Sequence, residues 1–343
     1  GETATCFQIG TPGISRYCAE LKPENFEHLA AITALWRPGP IKSGAAKKYA
    51  ECKNGLAPVH YANDVFREIT EITYGQIVYQ EQVTQVLMRL AGYTYSQADK
   101  VRKIVAKKGG VQAWDDEEPR FLEGCRKVGI LSEDQAHTLW QSSKMFAVYA
   151  FNRAHSVGYG MLAYWTAYLK ANYPAEWLCA YLNYGSADKE DVKTGDLNRD
   201  IALREARRIG IEILSPDINE SAVLWTVGQA KNGKPALRVG LKDVKSVGEK
   251  AIEQIQNLKS RVDRISTLDV FLSGVERRHV HKKVVKALLY CGALDSLLPE
   301  TERDRWIKQF DEMYETLETP KKRAALLAEP VPEGDVKEIV DRE

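Results

Sequence analysis

In this chain a single stretch reads as paired β-strands, and every other periodic segment repeats at the helical spacing. Val223 to Gln229 is rich in β-formers, Asn232-Gly233 is a turn signal, and residues 236–241 alternate again, which predicts a β-hairpin with a slightly extended loop. Elsewhere Val83, Val86, Leu87, Leu90 and Ala91 mark one face of a helix that Gly92 ends. Ser96 and Asp99 have the spacing of a capping box that opens the next helix. Helical periodicity returns at Ala251 to Leu258 and at Val280 to Leu289, and another helix runs through Arg204 to Arg208 and stops at Gly210. The N-terminal third reads as short helices broken at Pro38-Gly39-Pro40 and Asn54-Gly55. There is no internal repeat of fixed period. The fold class is therefore mainly α, multi-helix with one β-hairpin.

With 343 residues, 44% hydrophobic and 28% charged, the chain can bury a sizeable core and has room for about one to three domains. Its 48 basic and 47 acidic residues nearly cancel, which excludes a uniformly basic nucleic-acid coat and leaves a local basic patch open. Cys6, Cys18, Cys52, Cys125, Cys179 and Cys291 show neither CxxC nor zinc-ligand spacing, so they read as reduced thiols of a cytoplasmic protein. Residues 1–10 lack the apolar run of a secretory signal, and the uncharged stretch Ala154 to Leu169 is shorter than a membrane span needs. A first residue other than Met suggests a piece of something longer. The end, with Pro320, Pro330, Pro332 and many acids, reads as a linker or loosely held terminus.

Three segments carry chemistry. The helix with Lys100, Arg102, Lys103, Lys107 and Lys108, running to Gly109-Gly110, brings Lys100, Lys103 and Lys107 onto one face with few acids beside them. Such a face attracts phosphate, although charge runs are more often solvated surfaces. The second segment, Gln135 to Ala175, contains no Asp or Glu and interleaves Phe146, Tyr149, Phe151 and Tyr159 with Arg153 and His155. Rings stack on bases while Arg or protonated His holds phosphate oxygens. Asn152 to His155 sit at a helix entrance, where unspent amides favour anions. Met161, Tyr164, Trp165 and Tyr168 share a helical face and are assigned to packing. The third segment, Leu241 to Ala251, resembles two short helices joined by a hairpin, a motif whose backbone amides bind DNA phosphates without reading sequence. The densest acidic run, Asp115 to Glu118, lies between Gly109-Gly110 and Pro119 and reads as a solvated loop rather than a metal site. No Walker-type loop and no Ser-His-Asp or Cys-His set occurs.

Together, several motifs resemble, in the family's order, the alpha subunit of bacterial DNA polymerase III, the C-family replicative polymerase. They are Phe7-Gln8, Ala34-Leu35-Trp36-Arg37-Pro38-Gly39-Pro40, Tyr74-Gly75, Val78 to Val83, Ala98 to Lys103, Tyr149 to Ser156, Tyr168 to Glu176, Pro216 to Asn219 and Cys291 to Asp295. The resemblance implies a fingers domain: a helical core with a nucleotide pocket over 1–212, a β-hairpin region over 213–241, a helix-hairpin-helix DNA-binding module over 242–298, and a C-terminal helix and linker over 299–343. It implies that Arg102, Lys103, Lys107, Tyr149, Asn152, Arg153 and His155 bind the triphosphate of a dNTP. We expect Lys103, Arg153 and His155 to converge on one anion site. For DNA the resemblance and the basic positions give Lys245, Val247, Gly248, Lys250, Arg277, Arg278, Lys282 and Lys283. The implied partners are template-primer DNA, dNTP, the palm and thumb of the polymerase and its sliding clamp, with no membrane. The catalytic aspartates and their Mg²⁺ would belong to a palm before Gly1, leaving no catalytic residue or metal ligand in this segment. Three positions depart from the family pattern. Lys103 stands where arginine is common and loses the bidentate fork, Ile9-Gly10 follows Phe7-Gln8 where an acid is usual, and Ser246 stands where the hairpin usually has glycine. The alternative is a stand-alone, non-catalytic DNA-binding or scaffold module.

Overall fold

A computed structural model of the chain describes residues 2–104, 110–185, 192–298, 300–311 and 314, with backbone alone at 104, 110–111, 145–149, 192–197 and 300–302. Lys107, Lys108, Gly109 and the terminal linker lie outside the described residues, as does the side chain of Tyr149. Two compact units part at Tyr173/Pro174 rather than at the expected 212/213 boundary. The physical reason is packing: the helices that follow Pro174 bury Leu178, Leu182, Ala202 and Ala206 with Trp225 and Leu237 of the sheet region.

The first unit consists of α1 (Pro12–Leu21), α2 (Phe26–Leu35), α3 (Pro38–Lys42), α4 (Ala45–Lys53), α5 (Asp64–Thr70), α6 (Gln80–Ala91), α7 (Tyr95–Ile104), α8 (Gly110–Val128), α9 (Glu133–Tyr149) and α10 (Arg153–Asn172). Local rules set several ends. Asn25 and Asn63 cap α2 and α5 through their side-chain oxygens, and Gly92 closes α6 with φ +67°. The capping box of α7 is Thr94 with Gln97, not Ser96 with Asp99, because the helix starts earlier than expected. The 115–118 run is also not a loop. It lies inside α8, with Pro119 in the helix interior. Trp114, Phe121 and Cys125 bury one side of α8 completely, and Trp114 stacks on Trp140 of α9 at 3.9 Å, so packing outweighs the amide that proline removes. On its other contact, Gly124 permits the close approach of α8 to the end of α6, since a Cβ there would lie 2.2 Å from the Ala91 carbonyl oxygen.

α10 corrects another expectation. It buries its small side, Ser156, Gly160 and Ala163, while Met161, Tyr164, Trp165 and Tyr168 stand outside the core, with Trp165 52% exposed. A Cβ on Gly160 would meet Ala30 of α2 at 3.3 Å, so the close approach of α10 to α2 admits only small residues and turns the large ones outward. Among the described residues no helix is long and apolar enough to cross a membrane.

The second unit holds α11 (Pro174–Tyr184), α12 (Val192–Arg208), α13 (Glu249–Arg261), α14 (Leu268–Gly274), α15 (Lys282–Tyr290) and α16 (Glu300–Lys308). It also holds a sheet of β1 (Glu212–Leu214), β2 (Thr226–Gln229) and β3 (Pro235–Arg238), in the order β1-β3-β2. β2 and β3 form the expected hairpin, turning at Gly233 with φ +78°, but β1 adds a parallel strand beside β3, pairing Glu212 with Ala236. The Asp217-Ile218-Asn219 segment is a structural clamp. Asn219 exchanges two hydrogen bonds with the Ile265 backbone, and the Ile218 amide donates to the Ala293 carbonyl. A separate core built on Ile255, Phe271, Val280 and Leu288 carries the helices beyond the sheet.

Candidate functional site

α6, α7 and the start of α10 enclose a cleft of about 470 Å³, and Arg102 and Asn152, distant in sequence, both line it. Asp99 and Glu81 line it too. Arg102 donates to Gln80 Oε1 at 2.8 Å and to Asp99 Oδ1 at 2.6 Å, while Lys103 reaches Asp99 Oδ2 at 2.6 Å. The two cations sit three and four residues after Asp99, on its own helix face, so both converge on it. Their hydrogen bonds hold the Asp99 carboxyl below its usual range. The expectation that the α7 cations lack acids is thereby corrected.

The entrance of α10 is fixed by a short bridge. Buried Gln82 accepts from the amides of Val78 and Tyr79, both at 2.9 Å. That segment pairs in parallel with Phe151: the Phe151 amide donates to Val78 and the Gln80 amide to Phe151, each at 2.9 Å. Asn152 caps α10 by accepting from the His155 amide at 2.8 Å. Glu81 accepts from the Arg153 amide at 3.0 Å and from Asn152 Nδ2 at 3.2 Å. The helix entrance expected to offer unspent amides to an anion thus already holds a carboxylate of its own chain.

The three residues expected to converge are held by different partners. Lys103 stays with Asp99, Arg153 pairs with Glu27 at 2.9 Å, and His155 lies among rings, stacked on Tyr159 at 4.1 Å and edge-on to Phe151 at 5.3 Å. A residue that the sequence reading passed over joins that last group. The Arg37 guanidinium covers the Phe151 ring at 3.5 Å. A signal for it existed, because no acid occurs between Glu27 and Glu51, the same acid-free pattern that singled out His155.

In the second unit the first helix of the expected pair is one 3-10 turn, Leu241–Asp243. Ser246 adopts φ +72°, the left-handed conformation that explains why glycine is usual at this position. Gly248 caps α13, with Lys245 and Lys250 exposed on either side. Val247 faces inward: its side chain is buried and its amide donates to the Val244 carbonyl at 3.1 Å, so neither offers a DNA contact. Arg278 pairs with Glu276 at 2.6 Å and Lys282 with Asp311 at 3.0 Å. Arg277 lies 5.9 Å from the Tyr314 ring, and Lys283 is exposed.

The acidic run does not fit a divalent cation. Asp115 is bound to Lys144 at 2.6 Å, Glu117 accepts from the Tyr93 hydroxyl at 2.7 Å, and Glu118 accepts from Gln141 at 2.9 Å. Each carboxylate serves a different neighbour, and among the described residues no three His, Cys, Asp or Glu side chains are grouped to hold a metal.

Comparison with known proteins follows the same division. Residues 1–129 match the bacterial DNA polymerase III alpha subunit finger domain, and residues 210–305 match a helix-hairpin-helix motif. The chain is 37% identical to the DNA polymerase III subunit alpha of Aquifex aeolicus over 86% of its own length and 24% of that protein's. It is 36% identical to that of Saccharopolyspora erythraea, over 87% of this chain and 24% of the relative. The figures for Bacillus subtilis are 36% identity, 86% and 25%. The chain therefore spans about a quarter of the length of these relatives.

Proposed function

This chain belongs, through its fingers domain and helix-hairpin-helix motif, to the bacterial DNA polymerase III alpha subunit family, and we propose that it positions an incoming dNTP and the template-primer for nucleotidyl transfer in the cytoplasm. The observation that supports this reading is the cleft in which Arg102 and Asn152 meet. Arg102 offers a planar fork to phosphate oxygens and Asn152 an amide to the sugar or a phosphate. A triphosphate, with several negative charges, competes with Asp99 for Arg102 and Lys103. Cations held in place before the reaction then stabilise charge as it shifts onto the departing pyrophosphate. The Mg²⁺ that this chemistry uses would be held by carboxylates other than those described here, in a palm supplied by the rest of the polymerase, which would also bring the thumb and sliding clamp. Lys245, Lys250 and Lys283, with the hairpin amides, would hold the DNA backbone without reading its sequence.

The isolated chain is expected not to extend a primer with Mg²⁺; templated extension by highly purified protein would contradict this. For the pocket, Arg102→Ala in a polymerase containing this chain should raise the KM for dNTP, lower kcat, or both. The loss of kcat/KM should be about ten- to hundredfold, the worth of a charge-assisted contact. Unchanged dNTP kinetics with weakened DNA binding would favour the stand-alone DNA-binding alternative.

A further inference from the structure

The geometry points to a second phosphate-holding pair in the first unit, Arg37 with His155, mounted on the Phe151 ring and taking a phosphate of the nucleotide's polyphosphate tail. This rests on the nucleotide-binding reading above and adds to it a residue outside the Arg102 cleft.

Three observations carry it. First, Arg37 is half-buried and has no carboxylate partner among the described residues. Its Nε donates to the Thr33 carbonyl at 3.2 Å and its face lies on Phe151, which leaves both Nη amines without a hydrogen-bond or ion-pair partner among the described residues. The half-buried arginine in the cleft, Arg102, has Asp99, and Arg153 has Glu27. Burial lowers the Arg37 pKa, with the Tyr159 phenol acting in the opposite direction. Arginine nonetheless remains charged, and a charge drawn out of water without a counter-ion is unfavourable until one arrives.

Second, the neighbours suit an oxyanion. His155 shares the Phe151 ring with Arg37, its ring nitrogens have no hydrogen-bond partner among the described residues, and it is exposed. A guanidinium fork and an imidazole N–H that both pack on the Phe151 ring would donate to different oxygens of one phosphate. Tyr159 and then Phe7 continue the ring cluster outward, at 4.1 and 5.4 Å centroid separations. By contrast, Glu81 occupies the amide at the α10 entrance, and Asp99 and Glu27 occupy the other cations.

Third, Phe151 links this pair to the cleft. Its carbonyl accepts from the Gln80 amide, and the Gln80 side-chain oxygen accepts from Arg102. Arg37 therefore holds one end of the bridge whose other end positions Arg102.

The test uses the chain with inorganic tripolyphosphate, followed by isothermal titration calorimetry. Arg37→Ala should weaken binding about ten- to hundredfold. Arg37→Lys should restore part of it, since the charge remains while the fork is lost. If Arg37→Ala fails to fold, Arg37→Gln, which keeps a planar head without the charge, decides in its place. Unchanged binding in the Arg37 variant together with lost binding in Arg102→Ala overturns this inference and leaves the nucleotide reading standing. A parent chain that does not bind tripolyphosphate overturns both. A short DNA duplex that displaces tripolyphosphate from the parent but not from the Arg37 variant would assign the site to a DNA backbone phosphate and overturn the nucleotide assignment.

Discussion

The end of α7 and the hairpin before α13 are both rich in cations, yet they present them differently. At α7, Arg102 and Lys103 share the Asp99 carboxylate one turn back. At the hairpin, Lys245 and Lys250 flank an exposed Gly248. The difference teaches that a run of positive charge becomes a binding surface according to where its acids fold, rather than how many cations it contains. A site whose cations are already paired binds by exchange and favours a multiply charged ligand. A site with open lysines binds any phosphate backbone, weakly and with strong salt dependence.

The largest effect that would sharpen this contrast is on DNA. Changing Lys245, Lys250 and Lys283 together to Glu should abolish duplex binding at low salt in a fluorescence-anisotropy titration. A milder triple change to Gln should lower the slope of log affinity against log salt by about 0.9 for each phosphate contact removed. An unaltered slope would mean that these lysines do not touch the backbone. Next in size, Asp99→Ala releases two cations at once and should tighten tripolyphosphate binding by roughly the tenfold that one charge-assisted contact is worth. Weaker binding instead would show that Asp99 is needed to aim the cations, and the two regions would then differ in geometry rather than in pairing.

A third, smaller effect concerns pH. His28 is buried, its Nδ1 accepts from the Glu24 amide at 3.1 Å, and its Nε2 meets the Tyr74 hydroxyl at 2.6 Å. Burial lowers its pKa below the usual histidine value, with Lys53 adding to this. The unfolded chain therefore takes up a proton more readily than the folded one, so His28 supports folding above about pH 6.5 and loses that support as the pH falls. Melting curves from pH 7.5 to 5 should show a decline in Tm that His28→Gln reduces.

Much of the fold was legible in local signals: the apolar face of α6, the Gly92 stop and the β2–β3 hairpin. What escaped depends on distant packing. β1 is three residues long and gains meaning only when it pairs with β3. The 115–118 run looked like a loop because Gly109-Gly110 and Pro119 bracket it, yet the buried period of Trp114, Phe121 and Cys125 decides its state. The outward aromatics of α10 follow from the contact of Gly160 with Ala30. The site was half legible. Composition located the α7 cations and the α10 entrance, and the spacing of Arg102 and Lys103 three and four residues after Asp99 was a local signal of their pairing, but nothing local showed that Arg37 and His155 would both pack on Phe151.

The smallest effect is spectroscopic. Trp165 should be quenched readily by acrylamide while Trp114 and Trp140, buried and stacked, resist, which single-tryptophan variants can separate. A shielded Trp165 would contradict the inverted packing of α10.

The central claim, that the fingers segment holds the nucleotide between α6, α7 and the start of α10, is tested most directly by photocrosslinking an azido-dATP to the chain and mapping the modified residues by mass spectrometry. The account predicts labels within residues 79–104 and 151–159 that excess unmodified dATP suppresses. Labels confined to the second unit, or labels that competing nucleotide does not reduce, would contradict it.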